Sequence, residues 1–334
     1  MSQTIPLDTK PPTTEESVVS ICDRLYPQLG IENVKEINSY DDRNYLVSGK
    51  NEEQFILKIT NSIDTQDDGL LEGQNKLMLH LSRKYELCVP VPILNVHGQY
   101  LSREELNTNQ NGQKFAIRLL KYVSGTILGK LQLNKQLLIQ CGEYLGKLQR
   151  CINDGYTDQS IKTRQYLWSL TSFPQARQYL YVLDQNPIKR QWVEEAMNRF
   201  ETEILERKDQ FEHAYLHGDF NEQNILVKDG SISGIIDFGD IYYGPRIFDL
   251  AICIAYVMLV DMSDLDPVLD APRYVLEGFI KHVPLCEREL VSIPICSVAR
   301  IAQSVTLGLW TYQQQPGMNI CWSPKQKDGK CCNE

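Results

Sequence analysis

The spacing of apolar and polar positions changes character partway along this chain. Residues 17–29 carry apolar side chains at helical intervals. Two short runs of strand character follow, residues 44–47 and 54–59, on either side of "SGKNEE", whose glycine and asparagine suit a hairpin turn. In the second run Phe55, Leu57 and Ile59 share one face, and Ile56, Lys58 and Thr60 the other. Residues 70–81 return to helical spacing with Glu72 in the first turns, and "VPVPILNVHGQYL" and "KFAIRLLKYVSG" read as further strands. The first 120 residues therefore predict a five-strand unit with one helix inserted after about the third strand.

From Asn134, a residue type that caps helix N-termini, Leu137, Cys141, Leu145 and Leu148 mark a helix. Beyond it the pattern stays mainly helical, apart from short strands around residues 215–236. The longest apolar run, residues 250–260, is too short to span a bilayer and predicts a buried helix. Asp249 opens that helix, where it reads as a buried hydrogen-bonding brace. The expected class is α+β with two lobes: an antiparallel sheet with one helix, then a mainly α-helical lobe. The expected divisions are a Pro/Thr-rich disordered tail over 1–15, a nucleotide-binding lobe over 16–123, a catalytic and substrate lobe over 124–312, and an atypical, disordered tail over 313–334. The lobe boundary falls near Ser124–Gly125. This layout suits a nucleotide clamped between two lobes.

Composition narrows the partners. A chain of 334 residues is long enough for two lobes, and 42% hydrophobic with 23% charged residues is ordinary for a soluble globular protein. The net charge of −9 argues against nucleic acid or an anionic membrane as the main partner, and is compatible with a small cationic substrate. Ten cysteines show no CxxC pair, the five histidines do not join them at zinc-ligand spacing, and the first residues carry no signal-peptide pattern. Reduced thiols in a cytoplasmic protein are the expectation.

The candidate chemistry lies in "YLHGDFNEQNILV", residues 215–227, which sets His217, Asp219 and Asn224 in a polar loop between two apolar runs. "GIIDFGD" follows at residues 234–240, where Ile235 and Ile236 end a strand and Asp237 begins a turn helped by Gly239. Phosphoryl transfer asks for such parts, because its catalysis is mostly positioning and charge neutralisation. Asp219 can orient the attacking hydroxyl and accept its proton. Asp237 and the Asn224 carbonyl can supply hard oxygen ligands to Mg2+. Lys58, costly on a buried strand unless it meets water or an anion, can hold the donor phosphates, and Glu72 can pair with it. A chance match of both loops is on the order of one in ten thousand at ordinary residue frequencies. Blander alternatives stand beside each role. Lys58 could snorkel from an edge strand, and Glu72 could be a solvated helix acid. His217 scaffolds the loop more readily than it transfers protons. Asp240 could meet metal or substrate, or cap the next helix.

"LHGDFNEQNIL" and "GIIDFGDIYYGPRIFDLA" resemble the catalytic and metal loops of the aminoglycoside phosphotransferase family, the small-molecule branch of the protein-kinase-like fold. Departures from protein kinases agree: there is no GxGxxG, the nucleotide loop would be "SYDDRNYLV", and the metal loop runs straight into "GPRIFDLA". Within that family, "SYDDRNYLV", "RLLKYVSG", "YLWSLTSFPQARQYL" and "IDFGDIYYG" are similar to the hydroxylysine kinases. The resemblance implies transfer of a γ-phosphate, from GTP by preference or from ATP, to the side-chain hydroxyl of 5-hydroxy-L-lysine, within lysine degradation. It implies Asp219 as proton acceptor, Asn224 and Asp237 as Mg2+ ligands and Lys58 as the phosphate lysine. The nucleotide base would be met by the linker between Leu119 and Tyr122.

Hydroxylysine carries two amines and one carboxylate, so its pocket needs acids and a donor; Asp240, Glu222 and Trp168 are the candidates by proximity. Other amino alcohols such as choline, ethanolamine or homoserine fit the same chemistry. The family continues after "VARIAQSVTLGLW" with apolar helices, whereas this chain reads "TYQQQPGMNICWSPKQKDGKCCNE". An altered terminus of this kind predicts lost cover on the helical lobe, and a nucleotide-binding form without turnover is the alternative it raises.

Overall fold

The computed structural model describes residues 10–106 and 112–314. It opens with helix α1 (Glu15–Leu25), where Thr14 and Ser17 cap each other's backbone reciprocally and Val18, Ile21, Cys22 and Leu25 turn one apolar stripe inward. The sheet of the first lobe contains β1 (Ile31–Ile37), β2 (Arg43–Gly49), β3 (Gln54–Ile59), β4 (Pro92–Ile93), β5 (Ser102–Glu105) and β6 (Lys114–Lys121). All pairings are antiparallel, in the order β1-β2-β3-β6-β4, with β5 also on β6. Helix α2 (Asp68–Tyr85) is inserted after β3. Tyr45, Val47, Leu57, Ile59 and Leu119 bury one face of this sheet against α1. On the other face Asn44, Lys58 and Arg118 are aligned across β2, β3 and β6. A polar row on interior strands is tolerated only where partners reach it from outside the sheet. Here Asp42 and Asn75 reach it within the first lobe and Asp237 reaches it from the second.

That lobe contains β7 (Thr126–Ile127), α3 (Lys135–Asn153), α4 (Gln159–Thr163), a run of 3₁₀ turns over Leu170–Leu183, and α5 (Pro187–Glu203). It continues with β8 (His213–Leu216), β9 (Ile225–Lys228), β10 (Ser231–Ile235), β11 (Tyr242–Pro245), α6 (Ile247–Val257), α7 (Asp270–Phe279) and α8 (Glu287–Gln314). β8 pairs with β11, and β9 sits between β10 and β7. These two small sheets bring the β8–β9 and β10–β11 loops side by side. α3 and α7 touch at glycines: a Cβ on Gly142 would lie 1.8 Å from the Val275 oxygen, and one on Gly278 would lie 2.0 Å from that of Ile139.

The expected hairpin, the Asn134 cap and the apolar helix behind Asp249 are all present. β1 was not legible, because Val34 is its single buried residue and no alternation marks it. Residues 10–15 are not a free tail. Arg43 Nε donates to the Pro11 carbonyl at 3.0 Å, Lys10 Nζ donates to that of Ser39 at 2.9 Å, and Glu15 already opens α1. The remainder of the expected tail, residues 1–9, lies outside the described residues. At the other end α8 runs through Gln314, past the expected boundary at 312, with Leu307, Trp310 and Thr311 buried along its last turns. Trp310 packs at a tilt against Tyr179 with ring centroids 4.9 Å apart. The rest of the expected C-terminal tail lies outside the described residues. By length and composition α8 could cross a membrane, but most of it is buried on α5, α6 and the 3₁₀ run.

The start of α8 is fastened by a two-point ion pair. Arg246 Nε and NH2 stand 2.7 and 2.9 Å from the two carboxylate oxygens of Glu289, whose side chain is 3% exposed. Burial works against the Glu289 charge, but Arg246 outweighs it and holds the carboxyl below the usual glutamate range. A depressed folded-state value contributes stability above the unfolded glutamate range, and that stability is lost as pH falls through the folded value. Glu289→Gln should therefore cost about 1–3 kcal/mol near neutral pH. In urea titrations the gap to wild type should shrink below about pH 4; a gap that does not change with pH would contradict the assignment.

Candidate active site

The loop after β8 is shaped by one buried carboxylate. Asp249, in the first turn of α6 and 1% exposed, accepts from the backbone N–H of His217 and of Gly218, both at 2.8 Å. His217 is fully buried, and its ring bridges the two functional loops. The Ile236 carbonyl can only accept and the Asp219 N–H only donate, so Nε2 carries the proton toward Ile236 at 3.2 Å and Nδ1 accepts from Asp219 at 3.3 Å. Burial lowers the His217 pKa, in keeping with a neutral scaffolding ring. Gly218 has φ +84°, and a Cβ there would meet the Asp240 carbonyl oxygen at 2.0 Å. The two loops can approach so closely only because that position is glycine.

Asp219 follows with its two oxygens turned to different partners. Oδ2 accepts from Asn224 Nδ2 at 2.9 Å, and Oδ1 lies 3.0 Å from Arg300 NH2 of α8. Burial raises the Asp219 pKa while Arg300 opposes that rise. Asn224 Nδ2 also donates to the Asp219 carbonyl, so the amide nitrogen faces Asp219 and the carbonyl oxygen is the group left to act as a ligand. Asp237 sits in the left-handed region at φ +61°, a conformation that aspartate adopts more readily than most residues. Its side chain is 47% exposed and accepts from Lys58 Nζ and from the Gly239 N–H, both at 3.2 Å. The Lys58 charge holds its carboxyl below the usual range.

Lys58 thus reaches across the cleft, but its partner in its own lobe is not the one expected. Asp42 Oδ2 lies 2.8 Å from Nζ, and Asp42 is itself fixed by the Asn61 N–H at 2.7 Å. Burial opposes the Lys58 charge, but Asp237 and Asp42 prevail and raise its pKa. Glu72 is not in this pair. Two residues on, Gln74 is the α2 side chain that crosses to the other lobe, donating to the Gly239 carbonyl at 3.1 Å. Positions two apart point to different sides of a helix, and Glu72 instead lines an outer groove with Asp68, Tyr100, Ser102 and Arg103. Leu119 is also displaced from its expected role. It is fully buried, with β3 on one side and β4 on the other, so neither its side chain nor its ladder position is open to a base. Tyr122 stands at the end of β6 with its N–H donated to the Gln54 carbonyl at 3.1 Å.

The expected substrate residues do gather near Asp219. The Trp168 carbonyl accepts from Arg300 NH1 at 2.8 Å, and the Arg300 guanidinium lies 5.7 Å from the Trp168 ring centroid. Burial, with Asp219 adding to it, pushes the Asp240 carboxyl up to about 7. Burial also raises the Glu222 pKa; its Oε1 accepts from Gln223 at 3.0 Å, and its Oε2 is buried without a partner among the described residues. Sequence reasoning missed Arg300, Asp42 and Tyr40. Tyr40 spans the lobes, bonding Thr311 through its hydroxyl at 2.5 Å and meeting the Trp168 ring edge-on.

Known proteins resemble this chain in family and in fold. The family model described as "Phosphotransferase enzyme family" matches residues 33–278. The hydroxylysine kinase of Danio rerio is 31% identical over 316 residues, covering 92% of this chain and 87% of the relative. That of Bos taurus is 27% identical over 331 residues, covering 92% and 85%. Among solved structures, an amicoumacin kinase in complex with AMP-PNP, Ca2+ and its antibiotic superposes with a TM-score of 0.69 at 19% identity, covering 89% of this chain and 86% of the other. A spectinomycin phosphotransferase bound to ADP and spectinomycin gives 0.62 at 13% identity, covering 92% of each. At those identities the two structures speak for the fold alone.

Proposed function

The chain belongs to the phosphotransferase enzyme family and is a small-molecule kinase with a hydroxyl acceptor; from that premise we propose that it transfers the γ-phosphate of GTP or ATP to the side-chain hydroxyl of 5-hydroxy-L-lysine. The observation that carries the chemistry is the set of Asp219, Asn224, Asp237 and Lys58, drawn together from two lobes. In this reading Asp219 orients the acceptor hydroxyl and takes its proton as the oxygen attacks. Lys58 exchanges its carboxylate partners for donor phosphate oxygens. Asn224 and Asp237 would hold a magnesium ion, which neutralises charge on the phosphates when bound. The donor set suits that ion. Among the described residues no group of three or more His, Cys, Asp or Glu side chains is arranged for a metal, and Mg2+ characteristically takes one or two protein oxygens and completes its shell with phosphates and water.

Hydroxylysine as acceptor is supported by the relatives of that name and by the local charge. The Asp240 carboxyl is pushed up to about 7, an environment that rewards a cation beside it, and the substrate brings ammonium groups. The chain is proposed to work in the cytoplasm, with residues 16–123 as its nucleotide-binding lobe and 124–312 as its substrate lobe. The test is release of nucleoside diphosphate from Mg-GTP and from Mg-ATP, each with and without 5-hydroxy-L-lysine. Acceptor-dependent release is the expected result, and the ratio between nucleotides gives the donor. Release with choline or ethanolamine but not with hydroxylysine would overturn the acceptor while leaving the kinase.

A further inference from the structure

Arg300 lies on α8, and its side chain is 3% exposed. NH1 donates to the Trp168 carbonyl at 2.8 Å and to Gln303 Oε1 at 3.2 Å, while NH2 lies 3.0 Å from Asp219 Oδ1. Nε is buried without a partner among the described residues, and the guanidinium lies 5.7 and 5.5 Å from the ring centroids of Trp168 and Tyr256. A buried cation is costly unless its hydrogen-bonding capacity is met. The Trp168 carbonyl, Gln303 and Asp219 take three of its five N–H donors, and the one carboxylate among them belongs to a residue that must also serve the acceptor hydroxyl. The side of Asp219 is informative too. Oδ2 faces Asn224, the candidate metal ligand, while Arg300 takes the other oxygen, Oδ1.

We propose that Arg300 is the carboxylate anchor of an amino-acid acceptor, and so the residue that separates amino acids from amino alcohols at this site. The inference rests on the kinase reading given above. Nε–H and an NH2 hydrogen form the planar fork that takes a carboxylate at two points. The dimensions agree. With bonds of about 1.5 Å, the carboxylate carbon of hydroxylysine lies roughly 5 Å from its hydroxyl-bearing carbon. Arg300 NH2 lies 3.0 Å from Asp219 Oδ1, so one acceptor of that length can reach both groups. Choline and ethanolamine have no group for the fork.

The test uses acceptor pairs that differ only by the carboxylate: 5-hydroxy-L-lysine with 1,5-diaminopentan-2-ol, and L-homoserine with 3-aminopropan-1-ol. kcat/KM is measured for wild type, Arg300→Gln and Arg300→Lys. Wild type should prefer the carboxylate member, and Arg300→Gln should reduce that preference about 10- to 100-fold, with Arg300→Lys between. The ratio within one variant cancels the folded fraction and any displacement of Asp219, because both acceptors meet the same base. An equal loss on both members would overturn the anchor and leave Arg300 as a positioning residue for Asp219. Turnover of homoserine but not hydroxylysine would overturn the hydroxylysine reading alone, with the second pair then deciding the anchor. A wild type that phosphorylates only the amino alcohols, or none of the four, would overturn both.

Discussion

Asp219→Asn is expected to lower kcat by about 10²- to 10⁴-fold, the usual range for a positioned proton acceptor, while Mg-nucleotide still raises the melting temperature. The two readouts separate because the nucleotide-facing groups, Lys58 and Asp237, are held by Asp42 and by each other rather than by Asp219. The replacement is close in shape but not neutral in its bonds. Asp219 presents one oxygen to Arg300 and the other to Asn224 Nδ2, and both of those groups donate. An asparagine can offer an acceptor to only one of them, so two donors are left facing each other. A loss of about 1–3 kcal/mol in folding stability should accompany the loss of turnover. Acceptor-dependent nucleoside diphosphate release and thermal shifts on the same preparations measure both. Turnover retained within tenfold would remove Asp219 from the role of base.

How much of this was legible in the sequence varies with the range of the interactions. The hairpin of β2 and β3 and the cap at Asn134 depend on neighbours in the chain, so local patterning reveals them. The loop carrying His217, Asp219 and Asn224 was visible for the same reason: its spacing is local, and strands hold both ends. Asp42 was hidden. Two adjacent acids in a polar loop resemble a solvated turn, and only the folded sheet brings one of them 2.8 Å from Lys58. Glu72 misled because a helical acid after a lysine strand fits the expected pair, and a phase difference of two residues settles which side chain crosses the cleft. Arg300 had a signal that went unread. An arginine within the apolar stretch "VARIAQSVTLGLW" cannot be buried without an anion, and 81 residues separate it from the one it meets.

Asp249 should also matter to turnover, although it touches neither hydroxyl nor phosphate. It is 1% exposed, and its two oxygens receive the N–H groups of His217 and Gly218 at 2.8 Å each. Those amides lie just before Asp219 and are buried, so no water replaces the carboxylate if it is removed. Asp249→Ala would leave both donors unpartnered and a hole beneath the loop, at a cost of about 3–5 kcal/mol. Asp249→Asn keeps the volume but can serve only one of the two amides. Its amide nitrogen opposes the other N–H, for a smaller loss of about 1–3 kcal/mol. Activity should fall more than folding does. Gly218 already lies against the Asp240 carbonyl with no room for a Cβ, so a loop released at its amides moves Asp219 relative to Arg300 and Asn224. At a temperature where Asp249→Asn remains folded by circular dichroism, kcat should drop at least tenfold, since misplacing a reacting group by about 1 Å can remove a factor of a hundred. A folded Asp249→Asn protein with wild-type kcat would show that the loop keeps its shape through His217 and Ile236 alone.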